Sequence, residues 1–273
     1  MTTHGATAQS ATDAREIDAE FGVSLRSEWV PAPRYLLRRD RILSFLDGAS
    51  AGVPRGSVVE VGCGAGALLH DLRVRGFACH GLESSAEAVD VARKIHRDTG
   101  TVIGAEPDNA WSEQFDVLIC CEVLEHIEDD LAALRSWVPW IKHGGKVILS
   151  VPAHASMWGP SDEWAGHFRR YSREQFTRLA QGAGLVVDKV ECYGFPLANV
   201  TRHLRDFTAR RRTLESRAAN TARSGIDRSA EVKLYGVQSS WLGRVAMRAA
   251  QATQRPFLQT DLGEGYLLFA TKP

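Results

Sequence analysis

Apolar residues along the chain gather into short runs, and the stretches between them have helical period. The runs fall at 57–62, 78–83, 101–105, 116–121, 145–151, 185–193 and 265–272. Most are nearly continuous in apolar character, as strands buried on both faces require. Pro152 ends the fifth run. Helical patterns cover about Leu36–Leu46, the stretch after Ser84-Ser85 as far as Arg97, and Arg173–Ala183, which Gly184 stops. Alternation of this kind predicts an α/β protein built on a doubly wound parallel sheet. Residues 1–20, rich in Ala, Thr and Ser, read as disordered, and 21–273 as a single domain.

The run at 58–66 is Val-Val-Glu-Val-Gly-Cys-Gly-Ala-Gly. It predicts a buried strand turning sharply into a helix that starts near Ala67. Glycines let backbone approach a ligand closely, and a helix N-terminus offers free N–H groups and partial positive charge. The spacing separates the candidate cofactors. A dinucleotide loop places its third glycine five residues after the first. Here Gly66 follows Gly62 by four, and Glu60 precedes Gly62 by two. That carboxylate repels a pyrophosphate and suits a ligand carrying an ammonium and a sulfonium. Phe77–Glu83 reads as a second strand ending in an acid, 21 residues after Gly62, where a carboxylate can hold ribose hydroxyls.

This stretch resembles motif I of the class I S-adenosylmethionine-dependent methyltransferases, and Phe115–His126 resembles motif IV of the same superfamily. The resemblance covers about Trp29–Phe195 and the final strand. It implies a Rossmann-like, mostly parallel sheet whose last strand is antiparallel. It also implies S-adenosyl-L-methionine as cofactor, with Glu60, Gly62, Cys63, Gly64, Gly66, Glu83, Ser84 and Glu122 around it. The helix at 36–46 would cover the cofactor. The adenine partner stays open, since Gly104–Asp108 offers only Glu106 or Asp108.

Ligands of open α/β sheets bind beyond the C-terminal strand ends, so residues after the fourth strand face the methyl group. Glu122, Glu125 and His126 are spaced i, i+3, i+4 and would share one face if the chain turned helical there. Glu-x-x-Glu-His looks like the metal motif of ubiquinone-pathway O-methyltransferases and small-RNA 2′-O-methyltransferases, which add a later histidine. His167 stands at a comparable place. The resemblance implies Mg²⁺ on Glu122, Glu125, His126 and His167; the alternative is a metal-free pocket histidine at 126. His126 and His154 are the candidate catalytic bases, with Asp162, Glu163 and His167 also on the loop after the fifth strand. Trp158, Trp164 and Tyr171 could wall an apolar pocket or simply be core. Arg169-Arg170 could pair with a substrate anion or sit at the surface.

Composition narrows the partners. The formal net charge is zero, which argues against a polyanionic partner such as nucleic acid. The distribution is uneven: 199–258 holds 12 Arg/Lys and 4 Asp/Glu, so the rest of the chain carries a deficit of equal size. This region reads as a basic, helical, lid-like insertion with breaks at Gly225, Gly236 and Gly243. No apolar run is long enough to span a bilayer, and the five cysteines form no C-x-x-C pair, which fits a reducing cytoplasm. The expected activity is methyl transfer, O-methylation favoured, to a small-molecule or lipid- or glycan-linked acceptor. The alternatives are an RNA methyltransferase using the basic insertion and a non-catalytic S-adenosylmethionine-binding protein. Glycine spacing excludes a dehydrogenase.

Overall fold

The computed structural model describes residues 15–18, 20–25, 28–48, 55–97, 99–211, 216–225 and 227–273. It opens on a hairpin, β1 (Arg15–Asp18) with β2 (Gly22–Leu25), followed by α1 (Pro33–Asp47). Disorder expected through residue 20 is thus corrected for 15–18; residues 1–14 lie outside the described residues. β2 is wholly buried, which the polar neighbourhood of its sequence hid.

The seven apolar runs become β3 (Ser57–Val61), β4 (Ala78–Leu82), β5 (Val102–Gly104), β6 (Phe115–Cys121), β7 (Ile141–Pro152), β8 (Val186–Tyr193) and β9 (Gly265–Thr271). They form one sheet in the order β5-β4-β3-β6-β7-β9-β8. Every pairing is parallel except those of β9, which runs antiparallel between β7 and β8. The order reverses between β3 and β6, which opens a crevice at their C-terminal ends.

Apolar side chains alternate to two faces of this sheet. Val59, Leu118, Leu149 and Leu268 pack with α4 (Asp130–Trp137) and α6 (Arg173–Gly182) through Leu134 and Phe176. Val58, Val117, Ile148 and Phe269 pack with α1 and with α2 (Ala67–Val74) through Leu36, Leu37, Ile42, Leu69 and Leu72. Local chemistry fixes the helix ends. Ser85 accepts from Ala88 N to start α3 (Ala86–Ile95), and Ser172 with Gln175 forms a reciprocal capping box on α6.

Among the described residues, four α-helices lie between β8 and β9: α7 (Leu197–Ala209), α8 (Arg217–Ser224), α9 (Ser229–Gln238) and α10 (Trp241–Gln254). Gly225 does end α8, but Gly236 lies within α9 and Gly243 within the first turn of α10. The break between those two is made by Ser240, whose Oγ accepts from Gly243 N at 3.2 Å. Among the described residues, four of the insertion's cations, Arg205, Arg244, Arg248 and Arg255, meet acids of the body. Arg205 meets Glu264 at 2.6 Å, Arg248 meets Glu20 at 3.0 Å, and Arg244 forks onto Asp18. No helix among the described residues is long and apolar enough to cross a membrane.

Candidate active site

The glycine loop after β3 lies against the end of β4. Gly62 N and Cys63 N both donate to Leu82 O, at 2.8 and 3.0 Å. Gly62, Gly64 and Gly66 all have positive φ. A Cβ on Gly62 would come within 2.3 Å of Val123, so only hydrogen fits where this loop touches the turn after β6. At Gly66 the opposing atom is His96 Nε2, which lies 2.8 Å from Gly66 O and fixes the third glycine from below.

Glu83 at the end of β4 accepts from Gly64 N and from Ser85 N, each at 2.8 Å. Those two bonds hold the carboxylate beside the loop and leave acceptor capacity for a ligand hydroxyl. Glu60 sits on β3, 5% exposed, with one carboxylate oxygen unpartnered. Burial pushes its pKa up to about 8, Arg38 pulls it down, and Glu83 and Asp71 add to the rise. Glu106 and Asp108 are both exposed on the loop after β5, and Asp108 caps Ala110 N at 2.9 Å.

The structure changes the reading of the turn after β6. Glu122 has φ +59, a left-handed position that non-glycine residues rarely hold, and Leu124–His126 then forms one 3₁₀ turn. Glu122 therefore does not share a face with Glu125 and His126. Its carboxylate is taken by Arg34 and Arg38, one turn apart on α1, by Ser150 Oγ at 2.9 Å and by Tyr193 OH at 3.2 Å. Burial alone would raise its pKa; the two guanidiniums and the Ser150 hydroxyl overcome this and hold it well below the usual range. Arg34, Arg38, Ser150 and Tyr193 escaped the sequence reading. Two arginines at i, i+4 on the polar stripe of α1 were the available signal.

His167 does join the turn. Phe168 N donates to Glu125 O at 2.7 Å, which lays the 167–171 segment across Leu124–His126. The His126 and His167 rings stand edge to face, 4.7 Å between centroids. His167 Nδ1 bonds Asp162 Oδ1 at 2.8 Å, and its Nε2 lies 3.9 Å from Glu125 Oε1. Asp162 is in turn clamped by Arg170. Glu125 is fully buried with both oxygens unpartnered; burial, then the charge of Glu122, drives its pKa well up. Burial, helped by His167, pushes His126 down to about 3, so it is neutral at ordinary pH.

Ligand atoms of Glu125, His126 and His167 lie within 4.8 Å of one another. The four-residue Mg²⁺ set expected from the sequence does not form, because Glu122 is committed to the arginines. What remains is one carboxylate and two imidazoles. That is not the oxygen-rich shell Mg²⁺ takes, and it suits a softer divalent ion better.

Other expectations are corrected. His154 holds φ +61, and its ring bonds Gly263 O at 3.1 Å through Nε2 and faces Tyr266 OH through Nδ1, leaving neither nitrogen for an acceptor. Asp162 serves Arg170 and His167, and Glu163 is exposed. Tyr171 is core, its OH bonded to Asp130 at 2.7 Å. Trp158 is 40% exposed and Trp164 half-buried. Arg170 is buried against Asp162 and Ala153 O, and Arg169 is spent on Asp130 and Glu128 O. Neither is free for a substrate anion.

Sheet order, the single antiparallel strand and the glycine loop at the switch point define a class I S-adenosylmethionine-dependent methyltransferase fold. The chain belongs to the methyltransferase-domain family, whose profile matches residues 34–190. It is 35% identical over 120 residues to a ubiquinone biosynthesis O-methyltransferase of Vibrio vulnificus, covering 42% of this chain and 49% of that protein. The chain thus spans about half the length of the curated relatives it matches. Among solved structures, Haemonchus contortus phosphoethanolamine N-methyltransferase 2 with S-adenosyl-L-methionine superposes with TM-score 0.53 at 16% identity, over 86% of this chain and 52% of that one. The [4+2]-cyclase SpnF superposes with TM-score 0.51 at 19% identity, over 94% of this chain and 89% of that one. At such identities the likeness is one of fold.

Proposed function

We propose that this protein moves the sulfonium methyl group of S-adenosylmethionine to a hydroxyl on a small-molecule or lipid- or glycan-linked acceptor. The observation that carries the reading is the contact of Val123 with Gly62. It sets the His126–His167 cluster next to the loop that would hold the methionyl group.

Gly62, Cys63 and Gly64 bring main chain to the cofactor. Glu83, with Ser84 beside it, would hold the ribose. Glu60, once ionised, would hold the ammonium. Arg38, close to both Glu60 and Glu122, would meet the methionyl carboxylate. Glu122 orients the two arginines and does not itself line the space under the sulfur. The sulfonium already activates the methyl, so the protein mainly supplies proximity and alignment. An acceptor oxygen attacks the methyl carbon in line as the carbon–sulfur bond breaks, which releases S-adenosylhomocysteine. The acceptor proton passes to His167 Nε2. Asp162 fixes His167 with Nδ1 protonated and Nε2 free, and steadies the charge that develops. His126, kept neutral by burial, lines the pocket and reaches Thr221 of α8 at 3.3 Å. No step depends on a metal. O-Methylation is favoured by this oriented imidazole, and the name of the Vibrio relative points the same way.

Transfer of radiolabelled methyl from S-adenosylmethionine into fractionated cell extract tests the reading. Label should appear in an organic-soluble or small-molecule fraction as a base-stable methyl ether. Label confined to RNA would contradict it. Binding of cofactor with no transfer to any fraction would instead mark a non-catalytic binding protein.

A further inference from the structure

The four-helix insertion roofs the site. The carbonyl of Gly225, between α8 and α9, lies 3.9 Å from where a Cβ of Gly64 would sit. Thr221 touches His126, and Gln238 donates to Pro31 O at 2.9 Å. Inward side chains of the last two helices are buried, Tyr235 on α9 and Met247 and Gln254 on α10.

Their outward side is apolar. Leu234, Val237, Trp241, Leu242 and Val245 are 57, 71, 73, 69 and 46% exposed. Leu234 and Val237 are spaced i, i+3 on α9, and Trp241, Leu242 and Val245 lie in the first turns of α10, on either side of the Ser239-Ser240 corner. Such a patch on a soluble domain marks an interaction site. Charge selects the occupant. The helices α9 and α10 carry Lys233, Arg244 and Arg248 against one acid, Glu231, in the first turn of α9. Lys233 and Arg248 are exposed beside the patch, and the single contact of Arg248 with Glu20 is too solvated to neutralise it fully. A second copy docking on the same face would set these cations against each other. An anionic bilayer would receive them, and Trp241 at a helix corner suits the headgroup boundary.

We propose that the α9–α10 corner docks on an anionic lipid surface, inserting Val237, Trp241 and Leu242 at the headgroup level. The site beneath the lid then works on acceptors drawn from that surface. The last clause rests on the methyl-transfer reading; the docking does not.

Co-sedimentation of the full chain with phosphatidylcholine vesicles, with and without phosphatidylglycerol, tests it. Wild type should pellet with the mixed vesicles and weakly with phosphatidylcholine alone. Trp241→Ala with Leu242→Ala should lower that binding about tenfold or more. Lys233→Ala should cost about fivefold on anionic vesicles and little on neutral ones. S-Adenosylhomocysteine binding, measured on the same preparations, should be unchanged and shows that the variants are folded. The proposal is overturned if wild type ignores both vesicles, or if the double variant binds them as well as wild type does. It is also overturned if light scattering shows a dimer that the double variant splits, since the patch would then serve a second copy. Failure of vesicle binding with intact cofactor binding would leave the methyl-transfer reading standing.

Discussion

The two ends of the crevice are built differently. On the β3–β4 side, the parts lie close in sequence. Glu60, the three glycines and Glu83 fall within 24 residues, and main-chain bonds from Gly62, Cys63 and Gly64 lock them together. On the β6–β7 side, the parts come from afar. Glu122 meets Arg34 across 88 positions, and His126 meets Thr221 across 95. The first end is a local device that holds a constant ligand. The second is assembled by tertiary packing and can be altered by changing a loop or lid, as expected where the acceptor is chosen.

Substitutions can test this division. The largest expected effect is at the acceptor end. His167→Ala should lower kcat about a hundredfold or more, as loss of a general base does, with S-adenosylhomocysteine affinity unchanged. Equal loss of both, in stopped assays and calorimetry, would erase the distinction between the two ends.

Gly62→Ala should act the other way and weaken cofactor binding by about thirtyfold or more. A methyl there carries the cost of left-handed backbone and also strikes Val123. Adding Val123→Ala should recover the part due to the clash and leave the part due to backbone strain. No recovery in isothermal titration would mean that the loop does not touch the turn after β6.

A smaller effect concerns protons. Folding raises the Glu60 pKa from 4.5 to about 8, so the folded protein holds an extra proton between those values. On this account the ligand-free protein loses stability as pH rises through that window. A bound ammonium favours the carboxylate, so cofactor binding at pH 7 should release about one proton and strengthen by up to about tenfold for each unit that pH rises towards 8. Glu60→Gln should abolish the release. Titration in buffers of different ionisation enthalpy reads it directly, and identical heats in all of them would refute the role of Glu60.

The smallest expected change is with Mg²⁺. With Glu122 committed to Arg34 and Arg38, adding Mg²⁺ to chelator-treated protein should leave the rate within about twofold. A large, saturable rise that Glu125→Gln removes would restore the magnesium reading.

What the sequence disclosed follows the same division. Strand runs such as 116–121 and 265–272 were legible because burial on both faces leaves an unbroken apolar signature. Glycine spacing was legible because steric rules act within one loop. Glu122 was misread because a positive φ at a glutamate leaves no mark in the sequence, so its spacing to Glu125 suggested a shared helix face that does not exist. Arg169 and Arg170 stay open in the sequence between a substrate anion and the surface, and Tyr171 between pocket wall and core, because their partners, Asp130 and Asp162, are set by folding alone. Gly236 and Gly243 were over-read as breaks, since a helix packed on a body tolerates a glycine that an isolated helix would not.

The central claim is that the pocket formed by Glu60, the glycine loop and Glu83 holds S-adenosylmethionine. Isothermal titration of ligand-stripped protein with S-adenosylhomocysteine tests it most directly. The account predicts saturable one-to-one binding that Gly62→Ala severely weakens. A flat titration for both this product and S-adenosylmethionine, with protein shown to be folded, would contradict it.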